Sequence, residues 1–167
     1  MQIKDLGEFK VIDLLQAITA QRSTVPIYGD MPYRLMVDNG DDAAAWKTNG
    51  GTELFTTDTM VEGVHFDLST STWTDIGWKS LASNISDIAA MGGKPKYALI
   101  TLGLPPETET SDLEDLYQGY SKISNLYGVR IVGGDMVRAN SIFITCLFYT
   151  SDAADEQDRV HLDDTTQ

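Results

Sequence analysis

Residues Phe55 to Phe66, FTTDTMVEGVHF, combine a strand pattern with polar groups that an ordinary strand would not carry. An aromatic residue and two β-branched threonines begin the strand, and Asp58 then interrupts it. Burying an unpaired carboxylate is costly, so Asp58 needs a partner if the strand packs on a core. We expect that partner to be a metal ion.

Three further acidic groups recur along the chain. Asp41 and Asp42 follow a glycine, Asp87 interrupts an apolar helix pattern, and Asp135 follows a glycine pair. Hard cations such as Mg²⁺ take oxygen ligands, usually one or two carboxylates together with waters and substrate phosphates. The pattern therefore predicts one cation site that serves phosphate chemistry, and it disfavours zinc or iron chemistry.

Each of these residues has a simpler interpretation when it is taken alone. The run Asn39-Gly40-Asp41-Asp42 is favourable turn chemistry, Asp58 and Asp87 fit solvated positions, and Asp135 fits a turn. His65 lies between two apolar residues and is by default a structural histidine. The glycines before Asp135 would let backbone amides approach a phosphate, but a glycine pair by itself is unspecific.

Hydrophobic periodicity and turn signals predict an α+β domain in which helices cover one face of a mixed β-sheet. The predicted helices span residues 7–21, 74–91 and 111–127, with Ser111 as the N-cap of the third. The predicted strands span residues 34–38, 53–59, 96–104, 129–132 and 141–149. We expect the first two strands to pair as a hairpin around a turn at residues 47–52. We also expect the first helix to pack on the core.

The apolar faces of the two longer helices follow from their spacing. The second helix is predicted to bury Trp78, Leu81, Ile85, Ile88 and Ala89, while Asn84 and Asp87 point together toward a site. The third is predicted to bury Leu113, Leu116, Tyr120, Ile123 and either Leu126 or Tyr127.

Composition indicates one folded domain with a sizeable core, since 42% of the 167 residues are hydrophobic. The formal net charge of −13 argues against nucleic acid as a partner, because that binding depends on Lys and Arg neutralising phosphates. No apolar run is long enough to span a membrane. The single cysteine, Cys146, and the lack of a charged and then apolar leader predict a cytoplasmic protein.

The last residues, 151–167, differ from the rest of the chain in charge. They carry six acidic residues and one arginine, with few large apolar side chains. We therefore expect residues 1–150 to form the domain and residues 151–167 to be a disordered or non-native tail.

Five segments taken together resemble one family. They are Gly7-Glu8-Phe9, residues 40–44 (GDDAA), residues 56–66 (TTDTMVEGVHF), residues 79–95 and residues 131–135. In this combination the chain resembles thiamine-monophosphate kinase, in the superfamily that includes aminoimidazole ribonucleotide synthetase and selenophosphate synthetase. The resemblance runs from Leu6 to Phe148 and implies the N-terminal domain of the aminoimidazole ribonucleotide synthetase-like fold, with the family's C-terminal domain absent.

The resemblance implies Mg²⁺ as cofactor and ATP as co-substrate, and it implies roles for the matched residues. The Mg²⁺ ligands would be Asp42, Thr56, Thr57, Asp58, Asp87 and Asp135. Among these, Asp58 and Asp87 would also be the catalytic residues. His65 would contact the thiamine substrate, Gly134 and Asp135 would meet ATP, and Tyr117 is a further nucleotide candidate.

The implied activity is direct in-line transfer of the γ-phosphoryl group of ATP to thiamine monophosphate, giving thiamine diphosphate. The implied assembly is a homodimer in which two sheets close into a barrel and cover each other's edges. Two alternatives stay open. The chain could be a truncated, non-catalytic dimerisation module that binds metal and nucleotide, or a sibling ATP-using synthetase such as selenophosphate synthetase. The position of Cys146, late in a strand, disfavours the synthetase, whose relatives resemble each other in a reactive N-terminal cysteine or selenocysteine.

Overall fold

A computed structural model describes residues 8–22, 34–37, 41–48 and 51–150. The expected tail at residues 151–167 lies outside the described residues. Three helices and six strands follow one another in the order α1 (Glu8–Arg22), β1 (Arg34–Val37), β2 (Ala44–Thr48), β3 (Gly51–Val61), α2 (Trp73–Ala90), β4 (Tyr97–Leu104), α3 (Thr110–Tyr127), β5 (Arg130–Arg138) and β6 (Phe143–Tyr149).

All six strands form one sheet in the order β1-β2-β3-β6-β4-β5. Among the strands of the described residues, β4 and β5 pair in parallel and the other pairings are antiparallel. The parallel pair is joined through α3, which is the crossover that parallel strands require. Helix α2 packs on β3 and β6, and α3 packs against α2. The predicted α+β domain with a mixed sheet is therefore confirmed.

The core lies between the sheet and these two helices. Strand residues alternate, so that Leu54 and Met60 of β3 are buried on the helix side together with Ile144 and Phe148 of β6. From the helices, the fully buried side chains include Leu81, Ile88, Leu116, Tyr120 and Ile123. None of the helices in the described ranges has the length and apolar content that a membrane crossing requires.

The predicted hairpin between residues 34–38 and 53–59 is wrong, because β2 lies between these strands and pairs with both. Its sequence, AAWKT, is rich in alanine, which favours helices more than strands. Ala43 and Ala45 are each 3% exposed. Alanine is therefore found here because the buried position takes a small side chain, and not because alanine favours strands. The turn predicted at residues 47–52 joins β2, and not β1, to β3, since Thr48 pairs with Gly51.

Strand β5 continues through the glycine pair that was predicted to end it at residue 132. An added Cβ on Gly134 would lie 1.8 Å from the carbonyl oxygen of Ile100 on the neighbouring β4. Only glycine allows β5 to come this close to β4, so the glycine extends the parallel pairing. Asp135 consequently lies within a strand, paired with Thr101, and not on a loop.

Helix ends and buried faces differ from prediction in a few places. Helix α3 begins at Thr110, and its N-cap is Glu109, two residues before the predicted N-cap Ser111, which lies in the first turn. Trp78 is 37% exposed, and Ala89 is exposed as well. At the end of α3, Leu126 and Tyr127 are also exposed. The expectation that the first helix packs on the core is wrong for its described side chains, because the apolar residues Phe9, Ile12, Leu14, Leu15 and Ile18 are exposed.

The reason for the shifted face of α2 is its contact with α3, where two glycines bring the helix backbones together. An added Cβ on Gly77 would lie 2.2 Å from the Leu116 carbonyl oxygen, and one on Gly119 would lie 2.1 Å from the Thr74 carbonyl oxygen. The buried face of α2 therefore includes Gly77, Ser80 and Asn84. Trp78 lies at the margin of this face and remains exposed.

We predict that Gly77→Ala lowers the free energy of unfolding by about 2 kcal/mol, because the added methyl group collides with the backbone of α3. Urea unfolding monitored by circular dichroism measures the change. Ser86→Ala on the exposed face of the same helix is the control and should change stability by less than about 0.5 kcal/mol. A stabilised Gly77→Ala variant, as helix propensity alone would give, would contradict the close helix contact.

Candidate functional site

A buried threonine joins three segments of the chain at the helix-covered face of the sheet. Thr56 on β3 is 8% exposed. Its hydroxyl oxygen lies 3.2 Å from Oδ2 of Asp87 on α2 and 3.1 Å from the backbone oxygen of Asp42, just before β2. The hydroxyl can donate to either acceptor. Thr56 thus fixes the loop before β2 and the helix α2 relative to β3.

Three carboxylates surround this threonine. The pKa of Asp87 is raised, chiefly because partial burial removes water from its carboxylate and, to a smaller extent, because Asp58 and Asp42 are negatively charged neighbours. The hydrogen bond from Thr56 opposes the shift. The hydrogen bonds of Thr56 place Asp42 and Asp87 beside it, and Asp58 lies two residues along the same face of β3. A bound cation would relieve repulsion among these carboxylates.

The donor set fits a hard cation. Within the described ranges, no three His, Cys, Asp or Glu side chains are placed so that they could hold a metal ion by themselves. Mg²⁺ is suited to such a partial set, because it usually takes one or two carboxylates and completes its shell with water and substrate phosphates. The grouped oxygens of Asp42, Thr56, Asp58 and Asp87 would supply the protein's share.

Strand alternation separates the two adjacent threonines. The Thr56 side chain lies on the helix side, whereas the exposed Thr57 hydroxyl donates to the Cys146 carbonyl oxygen at 3.0 Å. Thr59, two residues on, contacts the hydroxyl of Thr145 at 2.9 Å. The structure therefore groups the Thr56 side chain with the carboxylates, while the Thr57 side chain projects from the other face.

His65 lies on the turn that follows β3. Its Nδ1 accepts a hydrogen bond from the backbone N–H of Val61 at 3.0 Å, and its carbonyl oxygen accepts one from Nζ of Lys79 at 2.5 Å. The histidine is exposed, so its ring is accessible to a ligand. Lys79 was not predicted as a site residue, although helical spacing places it two turns before Asp87 on α2.

Gly134, Asp135 and Tyr117 lie apart from the carboxylate group. Two strands, β6 and β4, separate β3 from β5, which corresponds to about 14 Å between their backbones. The exposed Asp135 accepts a hydrogen bond from the backbone N–H of Met136 at 2.8 Å. Tyr117 on α3 packs edge-on against Tyr120, with 5.1 Å between ring centroids. The described structure thus brings together four of the predicted site residues and leaves these three at other places.

The comparison with protein families identifies the domain. The family described as AIR synthase related protein, N-terminal domain, matches residues 40–149, which include the Thr56 group, His65 and β5. The chain belongs to this family.

Curated members similar to the chain are named thiamine-monophosphate kinase. The protein of Bacillus subtilis (strain 168) is 39% identical over 142 residues, covering 84% of this chain and 41% of that protein. The protein of Aquifex aeolicus (strain VF5) is 36% identical over 145 residues, covering 87% of this chain and 42% of that protein. The chain therefore spans about two fifths of the length of these relatives.

A solved structure described as "AaThiL complexed with AMPPCP and TMP" has the same fold. Its TM-score is 0.75 at 35% identity, and the match covers 90% of this chain and 43% of that chain. The predicted resemblance to the AIR synthase related family is thereby confirmed.

A buried polar layer lies beside the site in this AIR synthase related domain. Asn84 is 0% exposed and donates to the Ser80 carbonyl oxygen at 3.1 Å. Burial raises the pKa of the Cys146 thiol to about 12 and also raises the pKa of Tyr120. Cys146 therefore stays protonated at neutral pH, and a buried thiol of this kind is a poor nucleophile. This observation weighs against the cysteine chemistry of a selenophosphate synthetase.

We predict that Asp87→Asn raises the melting temperature of the metal-free domain at pH 7 by about 2 °C, after allowance for solvent screening. The pKa of Asp87 is raised in the folded state, so protonation favours folding and the stability cost grows as the pH rises through the folded pKa. The gain should therefore shrink toward pH 4. Differential scanning calorimetry without divalent cations measures both values.

Asp75→Asn on the same helix is the matched control with the opposite sign. Hydrogen bonds from Thr72 lower the pKa of Asp75, so its carboxylate stabilises the fold above the unfolded pKa and its loss should lower the melting temperature at pH 7. If Asp87→Asn also lowers the metal-free melting temperature, the burial and repulsion that raise the pKa of Asp87 do not destabilise the charged carboxylate in the folded domain.

Proposed function

We propose that residues 1–150 form the ATP- and Mg²⁺-binding domain of a thiamine-monophosphate kinase. The observation that carries this proposal is the grouping of Asp42, Asp58 and Asp87 around Thr56. It is supported by the 35% identity to a structure whose description names AMPPCP, an ATP analogue, and TMP. The chain spans about two fifths of the length of its curated relatives, so their kinase activity is proposed for this chain by similarity.

In the proposed reaction, a phosphate oxygen of thiamine monophosphate attacks the γ-phosphorus of ATP. The new P–O bond gives thiamine diphosphate as the bond to the bridging oxygen breaks and ADP leaves. Bound Mg²⁺ would supply the positive charge that two anionic reactants require in a chain of net charge −13. No protein nucleophile is needed, which agrees with the protonated, buried state of Cys146.

The residues of the domain would act by holding and orienting. Asp42, Asp58 and Asp87, with the hydroxyl of Thr56, would bind Mg²⁺, and Asp58 and Asp87 would be nearest the reacting phosphates. Asp87 is the most rigidly held of the three, because its carboxylate is fixed on α2 and hydrogen-bonded to a buried side chain. The Thr57 side chain lies on the opposite face of β3, so Thr57 would complete the set through its backbone oxygen.

The remaining proposed contacts involve other parts of the domain. His65 would contact thiamine monophosphate from the turn after β3. Gly134 and Asp135 would meet ATP at β5, and Asp135 would also ligate Mg²⁺, which requires that bound nucleotide extends across the sheet from the Thr56 group. Tyr117 is proposed as a further nucleotide contact from α3. We also propose that the domain is cytoplasmic.

The test of the binding role is Asp58→Asn. Isothermal titration with AMPPCP should show binding that depends on Mg²⁺, and Asp58→Asn should weaken it about tenfold, because one oxygen ligand loses its charge. Asp67→Asn, outside the group, is the control and should bind like the wild type. Equal, Mg²⁺-dependent affinity in the Asp58 variant would remove Asp58 from the site.

A coupled assay of ADP formation with thiamine monophosphate then separates the kinase from the alternative of a binding module. Turnover that depends on thiamine monophosphate supports the kinase. Nucleotide binding without turnover, at saturating substrate, supports the non-catalytic module for this chain.

The proposed homodimer rests on the face of the sheet that the helices leave uncovered. This face carries Trp46 stacked on Phe55, with Tyr149 edge-on to Phe55, at centroid distances of 4.9 and 5.0 Å. Leu99 on β4 is 42% exposed, and Tyr97 on the same face is 36% exposed. Aromatic and aliphatic side chains exposed together are typical of an interface between protein surfaces.

We predict that light scattering gives the mass of a dimer at micromolar concentration, and that Leu99→Asp converts the dimer to a monomer because it buries a charge at the interface. Leu126→Asp on α3, where the leucine is 64% exposed, is the matched control and should leave the dimer intact. A wild-type chain that is monomeric at every concentration tested would count against the proposed assembly.

A further inference from the structure

The turn between β3 and α2 is held by its own backbone. The N–H of Gly63 donates to the Phe66 carbonyl oxygen at 2.8 Å, and the N–H of His65 donates to the Val61 carbonyl oxygen at 2.9 Å. Gly63 has a φ of 75°, which favours glycine, and Phe66 is 7% exposed. The turn therefore leaves β3 and returns to the core within a few residues, with the exposed His65 at its outer side.

The imidazole ring of His65 is fixed in one tautomer by the same turn. The backbone N–H of Val61 donates to Nδ1 at 3.0 Å, so Nδ1 is the unprotonated nitrogen of the neutral ring. The ring proton is then on Nε2. His65 consequently offers a single hydrogen-bond donor, in a fixed place, to whatever binds beside the turn.

Lys79 is the side chain that ties this turn to helix α2. Its ammonium donates to the His65 carbonyl oxygen at 2.5 Å, and a charged donor makes this hydrogen bond stronger than a neutral one. Lys79 lies eight residues before Asp87, which is about 12 Å along the helix. One rigid helix thus holds both the turn that carries His65 and a carboxylate of the Thr56 group.

We propose that Lys79 is a positioning residue that sets the distance and orientation of His65 relative to the carboxylate group. It touches neither reactant and acts through the His65 carbonyl oxygen. This inference rests on the proposed function insofar as His65 contacts thiamine monophosphate, while the coupling of Lys79 to the His65 ring is independent of it. Loss of the ammonium removes the contact between the His65 carbonyl oxygen and α2. The backbone hydrogen bonds of the turn remain, but His65 loses its fixed orientation and the hydrogen bond from Val61 to its ring weakens.

The first measurement is hydrogen exchange of the Val61 amide by NMR, since His65 Nδ1 is its acceptor. Lys79→Met keeps the aliphatic chain and removes the charge, and it should speed exchange of the Val61 amide about tenfold while the Met60 amide is unchanged. His65→Ala gives the exchange rate of the released amide as a reference. Lys122→Met on α3 is the matched control and should exchange like the wild type.

The second measurement is binding. In calorimetry, Lys79→Met should weaken the binding of thiamine monophosphate about tenfold and leave Mg²⁺-dependent AMPPCP binding unchanged. Lys79→Arg, which keeps the charge, should bind thiamine monophosphate with most of the wild-type affinity. A general loss of structure in Lys79→Met would instead weaken the binding of both ligands. In that case Lys79→Gln, a second neutral variant with a different side-chain shape, is measured in its place.

The two readouts separate the outcomes. Unchanged Val61 exchange in both Lys79→Met and Lys79→Gln overturns the positioning role. Faster exchange with unchanged thiamine monophosphate affinity also overturns it, because the ring would be released without consequence for the substrate. If the wild type binds no thiamine monophosphate, the proposed function fails, and the exchange data still decide whether Lys79 holds His65.

Discussion

The hydroxyl group of Thr56 is the contact on which the arrangement of the site depends. It is buried on β3 and lies within hydrogen-bond distance of both the Asp87 carboxylate and the Asp42 backbone. An apolar residue of similar size would leave the half-buried Asp87 carboxylate without that donor, which is costly for a charged group. The strand, the loop before β2 and helix α2 are therefore placed by one small polar side chain at the edge of the core.

Helix α2 transmits this placement to the rest of the domain. Its contact with α3 depends on Gly77 and Gly119, which let the two backbones approach. The same helix carries Lys79 toward the turn after β3 and Asp87 toward Thr56. Since a helix is stiff over 18 residues, a packing contact made by glycines on one face helps fix functional groups on another. The glycine-mediated packing of α2 and the positions of Lys79 and Asp87 therefore depend on each other.

Sequence patterns predicted the central part of the fold well and its edges poorly. Leu81, Ile85 and Ile88 were found by helical spacing because burial on one face leaves that signature. Strand β2 was missed because alanines signal a helix, and β5 was cut short because glycines signal a turn, whereas both serve close packing against neighbouring strands. The pattern of acidic residues predicted one cation site that included Asp42, Asp58, Asp87 and Asp135, whereas the part of Thr56 was implied only by the resemblance. The hydrogen bond between Lys79 and His65 has no sequence signal, because it joins a side chain to a backbone carbonyl.

The carboxylate group has opposite effects on stability and on ligand binding. Partial burial and, to a smaller extent, the charges of Asp58 and Asp42 raise the pKa of Asp87, so the metal-free domain carries an unfavourable interaction at neutral pH that a packed apolar site would not have. A bound cation would offset both effects by supplying positive charge. A neutral or anionic ligand arriving alone would gain nothing from these groups. In a chain of net charge −13, an anionic substrate of the proposed reaction would therefore depend on a cation that binds before it or with it.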